Sequence, residues 1–132
     1  MRRLACLSAI GLVGCGFAEL PDEIHAQAIS PDRQLVARAW CLDGCDIPHK
    51  RRLTIGSAAE QAGERMPAAD EVLVFYLTEA EAVDVELRWP TNRRLEVHGK
   101  CLLGDDLAPL PDSVHGGIVV RLVRQPTQRP CA

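Results

Sequence analysis

The stretch VDVELRWPTNRRLEVHGK, residues 83–100, decides the fold class. Its first half alternates apolar and charged residues from Val83 to Trp89, which is the period of a strand with one buried face. A turn sequence, Pro-Thr-Asn-Arg, interrupts the alternation, and the pattern resumes at Leu95. The stretch therefore predicts a β-hairpin whose apolar face packs on a core and whose charged face meets water.

Charge selects the register of this hairpin. In one register, charged residues on the first strand face complementary residues on the second, and these pairs are Arg88–Glu96, Glu86–His98 and Asp84–Lys100. Opposite charges across a strand pair contribute about 0.2–1 kcal/mol, whereas a shift of two residues would bring like charges together. The sequence therefore predicts the first register, with Trp89 opposite Leu95 as the main apolar anchor.

Further short apolar runs extend the pattern in both directions along the chain. They are bounded by turn residues and cover residues 34–41, 50–56, 71–77 and 115–126. No long helical period accompanies them, so the sequence predicts a mainly β domain over residues 31–132. We expect a single antiparallel meander sheet of about six strands, curled or sandwich-like, with little helix. Its apolar face needs a cover, from curling, from the loop at 57–70 or from a partner.

The N-terminus has the pattern of an export signal. Two arginines precede an apolar run over residues 4–13 that is too short to span a bilayer. The run ends in Leu-Val-Gly-Cys at residues 12–15, which resembles the lipobox of bacterial lipoproteins. The resemblance implies that residues 1–14 are a lipoprotein signal peptide, that Cys15 is acylated, and that residues 15–30 form a tether. The alternative is an ordinary secretory signal or a buried N-terminal helix.

This resemblance also implies a location. Several acyl chains on Cys15 would hold the protein on a membrane, where one chain gives only marginal binding. The next residue is Gly16 rather than Asp, which by resemblance to enterobacterial sorting favours the outer membrane over the inner one. We therefore expect a lipid-anchored protein of the bacterial cell envelope that faces the periplasm.

The remaining cysteines suit an oxidising compartment. Cys6 is lost with the signal peptide, which leaves an even number of candidates for disulfides, namely Cys41, Cys45, Cys101 and Cys131. Three pairings are open. The Asp-Gly turn inside the first loop can join Cys41 to Cys45, in which case Cys101 to Cys131 ties the tail to the sheet.

Metal and haem are the alternatives for these cysteines. Cys41, Cys45 and His49 with Cys101 could form a zinc set, but zinc sites favour closer Cys-x2-Cys spacing and reducing compartments. The chain contains no Cys-x-x-Cys-His haem attachment sequence. We therefore predict disulfides, and neither a metal nor another cofactor.

A second resemblance covers roughly residues 30 to 124. The stretches SPDRQLVARAW at 30–40, EVLVFYL at 71–77 and GGIVVRLV at 116–123, with the hairpin, resemble a small uncharacterised bacterial family. This chain departs from the family pattern at Arg33, where the family has Gly, and has Cys45 and Cys131 in addition. The resemblance implies a β fold and supplies no catalytic residues.

The residues that could serve catalysis or bind a cation also have ordinary structural explanations. Asp84, Glu86 and His98 share one face of the hairpin and could perform acid–base chemistry, but cross-strand charge pairing on an open surface explains them better. Acidic loop residues could bind calcium, although exposed aspartates usually occupy solvated turns; these residues, with a neighbouring histidine, are Asp43, Asp46, His49, Asp105 and Asp106. We therefore predict no catalytic residue and no enzyme.

Two classes of function remain after these exclusions. A net charge of −3 without a basic cluster gives no sign of nucleic-acid binding. We expect a non-catalytic binding module, anchored to the membrane through Cys15, whose partner is an envelope protein or a cell-wall component. The alternative is a periplasmic inhibitor or immunity-type protein that blocks a toxin or a hydrolase.

Overall fold

The computed structural model describes residues 20–77, 84–104, 112–128 and 131. The predicted signal peptide and Cys15 lie outside these residues. The described residues form strands and one short 3-10 helix at Ala68–Asp70, which confirms the mainly β fold with little helix. The strands are β1 (Glu23–Ile29), β2 (Leu35–Cys41), β3 (Lys50–Ser57), β4 (Glu71–Leu77), β5 (Val85–Thr91), β6 (Arg94–Gly99), β7 (Leu102–Leu103), β8 (Ser113–His115) and β9 (Ile118–Arg124).

The strands form two sheets instead of the single meander that the sequence predicts. Sheet A has the order β1-β2-β3-β4-β7, and sheet B has the order β5-β6-β9-β8. Sheet A is antiparallel, but β6 and β9 pair in parallel. Parallel neighbours need a crossover, and here the chain enters sheet A as β7 before it returns to sheet B. A meander assumes that successive strands pair, and this crossover breaks that assumption.

The inner faces of the two sheets form one core. It contains buried residues from both sheets, which are Ala37, Ala39, Leu53, Phe75, Leu77, Leu87, Leu95, Val97, Leu102, Ile118 and Val120. Alternation along each strand sends these residues inward and their neighbours outward. The sandwich-like form of the prediction is therefore the one that the molecule adopts.

The hairpin β5–β6 has the predicted charge register over most of its length. Arg88 pairs with Glu96 and Glu86 with His98. The expected pairing of Trp89 with Leu95 is absent because the register shifts after Arg88. Pro90 lacks an N–H for the ladder, and a proline within paired strands is confined to edges or irregularities.

Residues 23–29 form an edge strand rather than part of a tether. β1 pairs antiparallel with β2, with an irregularity between Ile24 and Ala26. Ala26 and Ala28 pack against the core while the residues between them are exposed. The prediction of a tether over residues 15–30 is therefore wrong for residues 23–29. Alanines give little strand signal, although they fit against a neighbouring sheet.

The loop at 57–70 lies across the outer face of sheet A. Beneath it, Trp40 is only 1% exposed and its indole donates a 2.9 Å hydrogen bond to the Thr54 hydroxyl. The Arg38 guanidinium donates to the Glu60 carbonyl in the loop. The loop thus covers the outer face of sheet A, whereas sheet B covers the apolar inner face.

Candidate functional site

The two ends of the sandwich gather different residues. The cysteine-loop pole comprises residues 20–25, 41–51 and 64–66, and the distal pole comprises residues 30–34, 91–94 and 116–117. The strands that alternate in direction place these segments at opposite ends. Each pole is a candidate site with its own chemistry.

Two disulfides occupy the predicted cysteines. Cys41 is bonded to Cys45 with 4.7 Å between their Cα atoms, and Cys101 to Cys131 with 5.4 Å. This is the pairing that the Asp-Gly turn favours. The alternative zinc set with His49 is wrong, because the four sulfurs are paired in two disulfides and none is left as a thiolate ligand.

The Cys41–Cys45 loop has an unusual backbone. Asp43, Gly44 and Cys45 have φ values of 52°, 66° and 68° in succession. This left-handed region suits glycine, whereas other residues occupy it only where the surroundings hold them. Cys41 is buried and Cys45 is partly exposed, so the two ends of the bridge differ in their burial.

A buried arginine lies against this disulfide. Arg51 is 1% exposed, and its Nη1 donates to the Pro48 carbonyl at 2.7 Å. The same Nη1 lies 3.5 Å from the Cys41 sulfur and 4.0 Å from the Cys45 sulfur. Nε of Arg51 is buried without a partner, and no carboxylate of the described residues forms a salt bridge with this side chain. Burial lowers the pKa of Arg51, an effect that the charge of Glu23 opposes, yet an arginine stays protonated in proteins.

His25 completes the group around the sulfurs. One of its ring nitrogens and the sulfurs of Cys41 and Cys45 all lie within 4.8 Å of one another. The sulfurs are held in a disulfide, so this cluster is not a thiolate metal site. An exposed imidazole at this distance can accept or donate a proton beside them.

Asp22 fixes the start of the described chain to this pole. Its side chain is only 7% exposed and accepts hydrogen bonds from the backbone N–H groups of Asp43 and Met66, at 2.9 and 2.7 Å. Burial raises the pKa of Asp22, but these two amides and the Arg65 guanidinium outweigh burial and hold it below its usual value. We call this arrangement the Asp22 clamp.

Further bonds reinforce the Asp22 clamp. The Gly44 amide donates to the Pro21 carbonyl, and Arg65 donates to the Leu20 carbonyl, each at 2.8 Å. Any Cβ at position 44 would lie 2.6 Å from the Leu20 side chain, so only glycine fits there. The chain at residues 20–22 is therefore seated between the cysteine loop and the loop at 64–66.

A small cleft borders the same pole. It has a volume of about 140 Å³ and is lined by Trp40, Leu42, Asp43, Asp46, Ile47, Lys50 and Arg52. Pockets for small molecules usually hold about 300–1,000 Å³, so this cleft fits a side chain better than a metabolite. Of the residues weighed for calcium, Asp43 instead forms an ion pair with Arg65 at 3.1 Å. Asp105 and Asp106 lie outside the described residues.

The distal pole joins three turns. The Asp32 amide donates to the Asn92 side-chain oxygen at 2.8 Å, and the Val119 amide donates to the Arg93 carbonyl at 2.9 Å. The Ser30 hydroxyl and the Gln34 amide both donate to the Asp32 carboxylate and lower its pKa. These turns therefore present one connected surface.

The charge of the distal pole is positive. Arg33, Arg93 and Arg94 are exposed, and Asp32 is the one carboxylate in these three turns. Arg33 occupies the left-handed region with φ of 61°. The pole is thus built to meet negative charge.

The hairpin residues weighed for catalysis are engaged in pairs. Glu86 accepts two hydrogen bonds from Arg88, at 2.8 and 3.0 Å, which lower the Glu86 pKa. His98 contacts Glu96 at 2.9 Å. These contacts join residues two apart on the same strand, and not across the hairpin as the charge-pairing interpretation has them. The predicted cross-strand partners act only as nearby charges, His98 on Glu86 and Glu96 on Arg88.

Three important residues of the cysteine-loop pole do not stand out in the sequence. Asp22, His25 and Arg51 act through positions that only the fold brings together. Arg51 lies in an alternating strand, KRRLTIG, where its inward direction follows from Leu53 and Ile55. A charged residue on the apolar side of a strand was the available signal.

No protein-family model, no curated protein and no solved structure matches this chain. In the part of the chain that the structure describes, no helix is long and apolar enough to cross a bilayer.

Proposed function

We propose that the chain is a lipid-anchored, non-catalytic binding module of the bacterial envelope. Its anchor is Cys15, and its binding surface is the distal pole. The partner is an anionic surface of an envelope protein or of the cell wall. The observation that carries the proposal is the Asp22 clamp, because it decides which end of the domain a lipid on Cys15 would hold near the membrane.

Chain length supports this orientation. Five residues lead from Cys15 to Leu20, and a chain of that length spans at most about 18 Å when fully extended. Residues 20–22 are seated on the cysteine-loop pole. An acylated Cys15 therefore keeps this pole near the bilayer and directs the distal pole away from it.

Charge supports the choice of partner. The three exposed arginines of the distal pole attract anionic groups over roughly 8–10 Å at moderate ionic strength. Arginine also forms paired hydrogen bonds with carboxylate and phosphate groups. Binding of this kind should weaken as salt concentration rises.

Mass spectrometry of membrane fractions tests the anchor. We expect a mature chain that starts at an acylated Cys15, and a Cys15→Ser chain that is released or unprocessed. A Cys15→Ser chain that is still processed and membrane-bound would rule the anchor out.

Photo-crosslinking in intact cells tests the binding surface. A crosslinker at Gln34 should capture a defined partner, and replacing Arg33, Arg93 and Arg94 with Gln should abolish capture. The matched control replaces Arg38, Lys50 and Arg121, which lie outside the distal pole, and should retain it. Equal capture by both triple variants would contradict the assignment of the distal pole.

The alternative is an inhibitor that blocks a toxin or a hydrolase from the same surface. The crosslinked partner separates the two functions. A partner whose enzymatic activity falls when this protein is added would favour inhibition over simple attachment.

A further inference from the structure

We propose that Cys41–Cys45 is a thiol-exchange site, which a dithiol reductant opens reversibly while Cys101–Cys131 stays closed. The inference goes beyond the proposed binding function and does not depend on the lipid anchor. It stands on the burial of Arg51 against the sulfurs, on the partial exposure of Cys45 beside a buried Cys41, and on the backbone of the loop.

Arg51 favours the reduced state of the bridge. A buried charge needs partners, and in the described residues Arg51 donates only to neutral acceptors, has a buried Nε without a hydrogen bond, and feels the Glu23 charge without a salt bridge to it. Reduction would place a Cys41 thiolate about 3.5 Å from its Nη1. A nearby cation lowers the pKa of a thiol, and a stabilised reduced form makes a disulfide more oxidising.

Access to the bridge is one-sided. Cys45 is partly exposed, whereas Cys41 is 1% exposed and lies beside Arg51. An incoming thiolate therefore attacks the Cys45 sulfur, and Cys41 becomes the leaving group. A leaving thiolate of lowered pKa departs faster.

A dithiol reductant opens the bridge in two successive exchange steps. Its first thiolate forms a bond to the Cys45 sulfur as the Cys41–Cys45 bond breaks, and Cys41 departs as a thiolate. The second thiol of the reductant then attacks the reductant sulfur of the mixed disulfide and releases Cys45 as a thiolate, which takes up the proton that the second thiol has lost to solvent. Two electrons pass to Cys41 and Cys45, and the dithiol becomes a disulfide.

The loop backbone favours opening as well. Three successive left-handed residues, of which only one is glycine, are held there by the ring and by the Asp22 clamp. The second bridge differs, because it joins residues 30 apart in sequence. Cys101–Cys131 is therefore an internal control.

A redox titration of the detergent-solubilised full chain tests the proposal. The protein is equilibrated in glutathione buffers, quenched with acid and alkylated, and mass spectrometry gives the reduced fraction of each bridge. We expect the equilibrium constant for reduction of Cys41–Cys45 to be at least 100-fold larger than that of Cys101–Cys131. This ratio corresponds to a difference of about 59 mV in reduction potential for a two-electron couple. Tryptophan fluorescence should remain native while it opens. Equal constants, or opening only together with loss of the native signal, would overturn the proposal.

Two variants isolate the role of Arg51. Arg51→Met should lower the equilibrium constant at least tenfold, whereas Arg52→Met should change it less than twofold. Arg52 is the matched control because it is the next residue on β3, faces the other way and pairs with Glu71 at 2.6 Å. Equal effects of the two variants would overturn the assignment.

A second measurement does not need the Arg51 variant to fold. In Cys45→Ser, the remaining Cys41 thiol is titrated by thiolate absorbance near 240 nm. We expect a pKa below about 8.5, the ordinary value for cysteine. A pKa at or above that value would show that Arg51 does not stabilise the thiolate.

Discussion

Two tryptophans show how much the position of a single residue decides. Trp40 and Trp89 both lie in alternating strands, yet Trp40 is buried and Trp89 is half-buried. Trp40 lies under the loop at 57–70, whereas Trp89 lies beside the irregularity at Pro90 and donates to the Ala28 carbonyl at 3.0 Å. The indole of Trp89 therefore links sheet B to β1 while it packs against the edge of the core.

The two tryptophans should respond differently to substitution. Trp40→Ala removes a buried ring and should lower the free energy of unfolding by about 3–5 kcal/mol. Trp89→Phe removes mainly one hydrogen bond and should cost about 0.5–1.5 kcal/mol. Urea denaturation of both variants measures the difference, and equal losses would contradict the burial assignments.

Asp22 should make stability depend on acidity. Its pKa is lowered in the folded state, so its contribution is complete above the unfolded value near 4 and disappears as the pH falls through the folded pKa. Asp22→Asn should cost about 1–3 kcal/mol at neutral pH, since two amides and Arg65 lose a charged acceptor.

The pH profile of unfolding separates this effect from general acid sensitivity. Stability curves of the parent and Asp22→Asn should converge as the pH falls below about 4 and through the lowered pKa of folded Asp22. Glu60→Gln, which changes an exposed carboxylate of the 57–70 loop, should leave the curve unchanged. Parallel curves for the parent and Asp22→Asn would show that Asp22 does not carry the linkage.

At the scale of elements, the sequence pattern predicted those strands and pairings that depend on residues close together in the chain. The hairpin β5–β6 was predictable because its alternation and its charge pairs lie within one short stretch. β1 was not, since alanines at positions 26 and 28 carry little strand signal until a neighbouring sheet covers them. The pairing of β6 with β9 joins distant residues, and no pattern within either strand records that partner.

Substitutions on the two faces of the hairpin should have opposite consequences. Leu95→Ala removes a fully buried side chain and should cost about 2–5 kcal/mol. Glu86→Gln changes an exposed residue and should leave the urea midpoint where it is. Thermal or urea unfolding provides the comparison, and a large loss for Glu86→Gln would mean that the charged face supports the fold.

At the scale of the whole molecule, the two bridges should contribute unequally to stability. In the chain-entropy account, closing loops of 4 and 30 residues contributes about 2 and about 3.6 kcal/mol. Replacing Cys101 and Cys131 with Ser should therefore destabilise more than replacing Cys41 and Cys45. Urea unfolding of the two double variants checks the order, and the reverse order would show that local packing outweighs loop length.

The candidate sites were predictable only in part. The cysteines were identifiable because their number and spacing are visible along the chain. Arg51, His25 and Asp22 were not, because the residues that each one contacts are distant in sequence or are brought to it by the turn of the cysteine loop. Arg33 and Arg93 likewise come together only when the turn at 30–34 bonds to Asn92.

The parallel pairing of β6 with β9 also determines the stage of synthesis at which the domain can finish folding. β9 lies between β6 and β8, yet it is synthesised after both. Until residues 118–124 have left the ribosome, β6 has an open edge and the inner face of sheet A lacks half of its cover. Open edges and uncovered apolar faces recruit other chains, so the nascent chain is most exposed to association in the interval before β9 emerges.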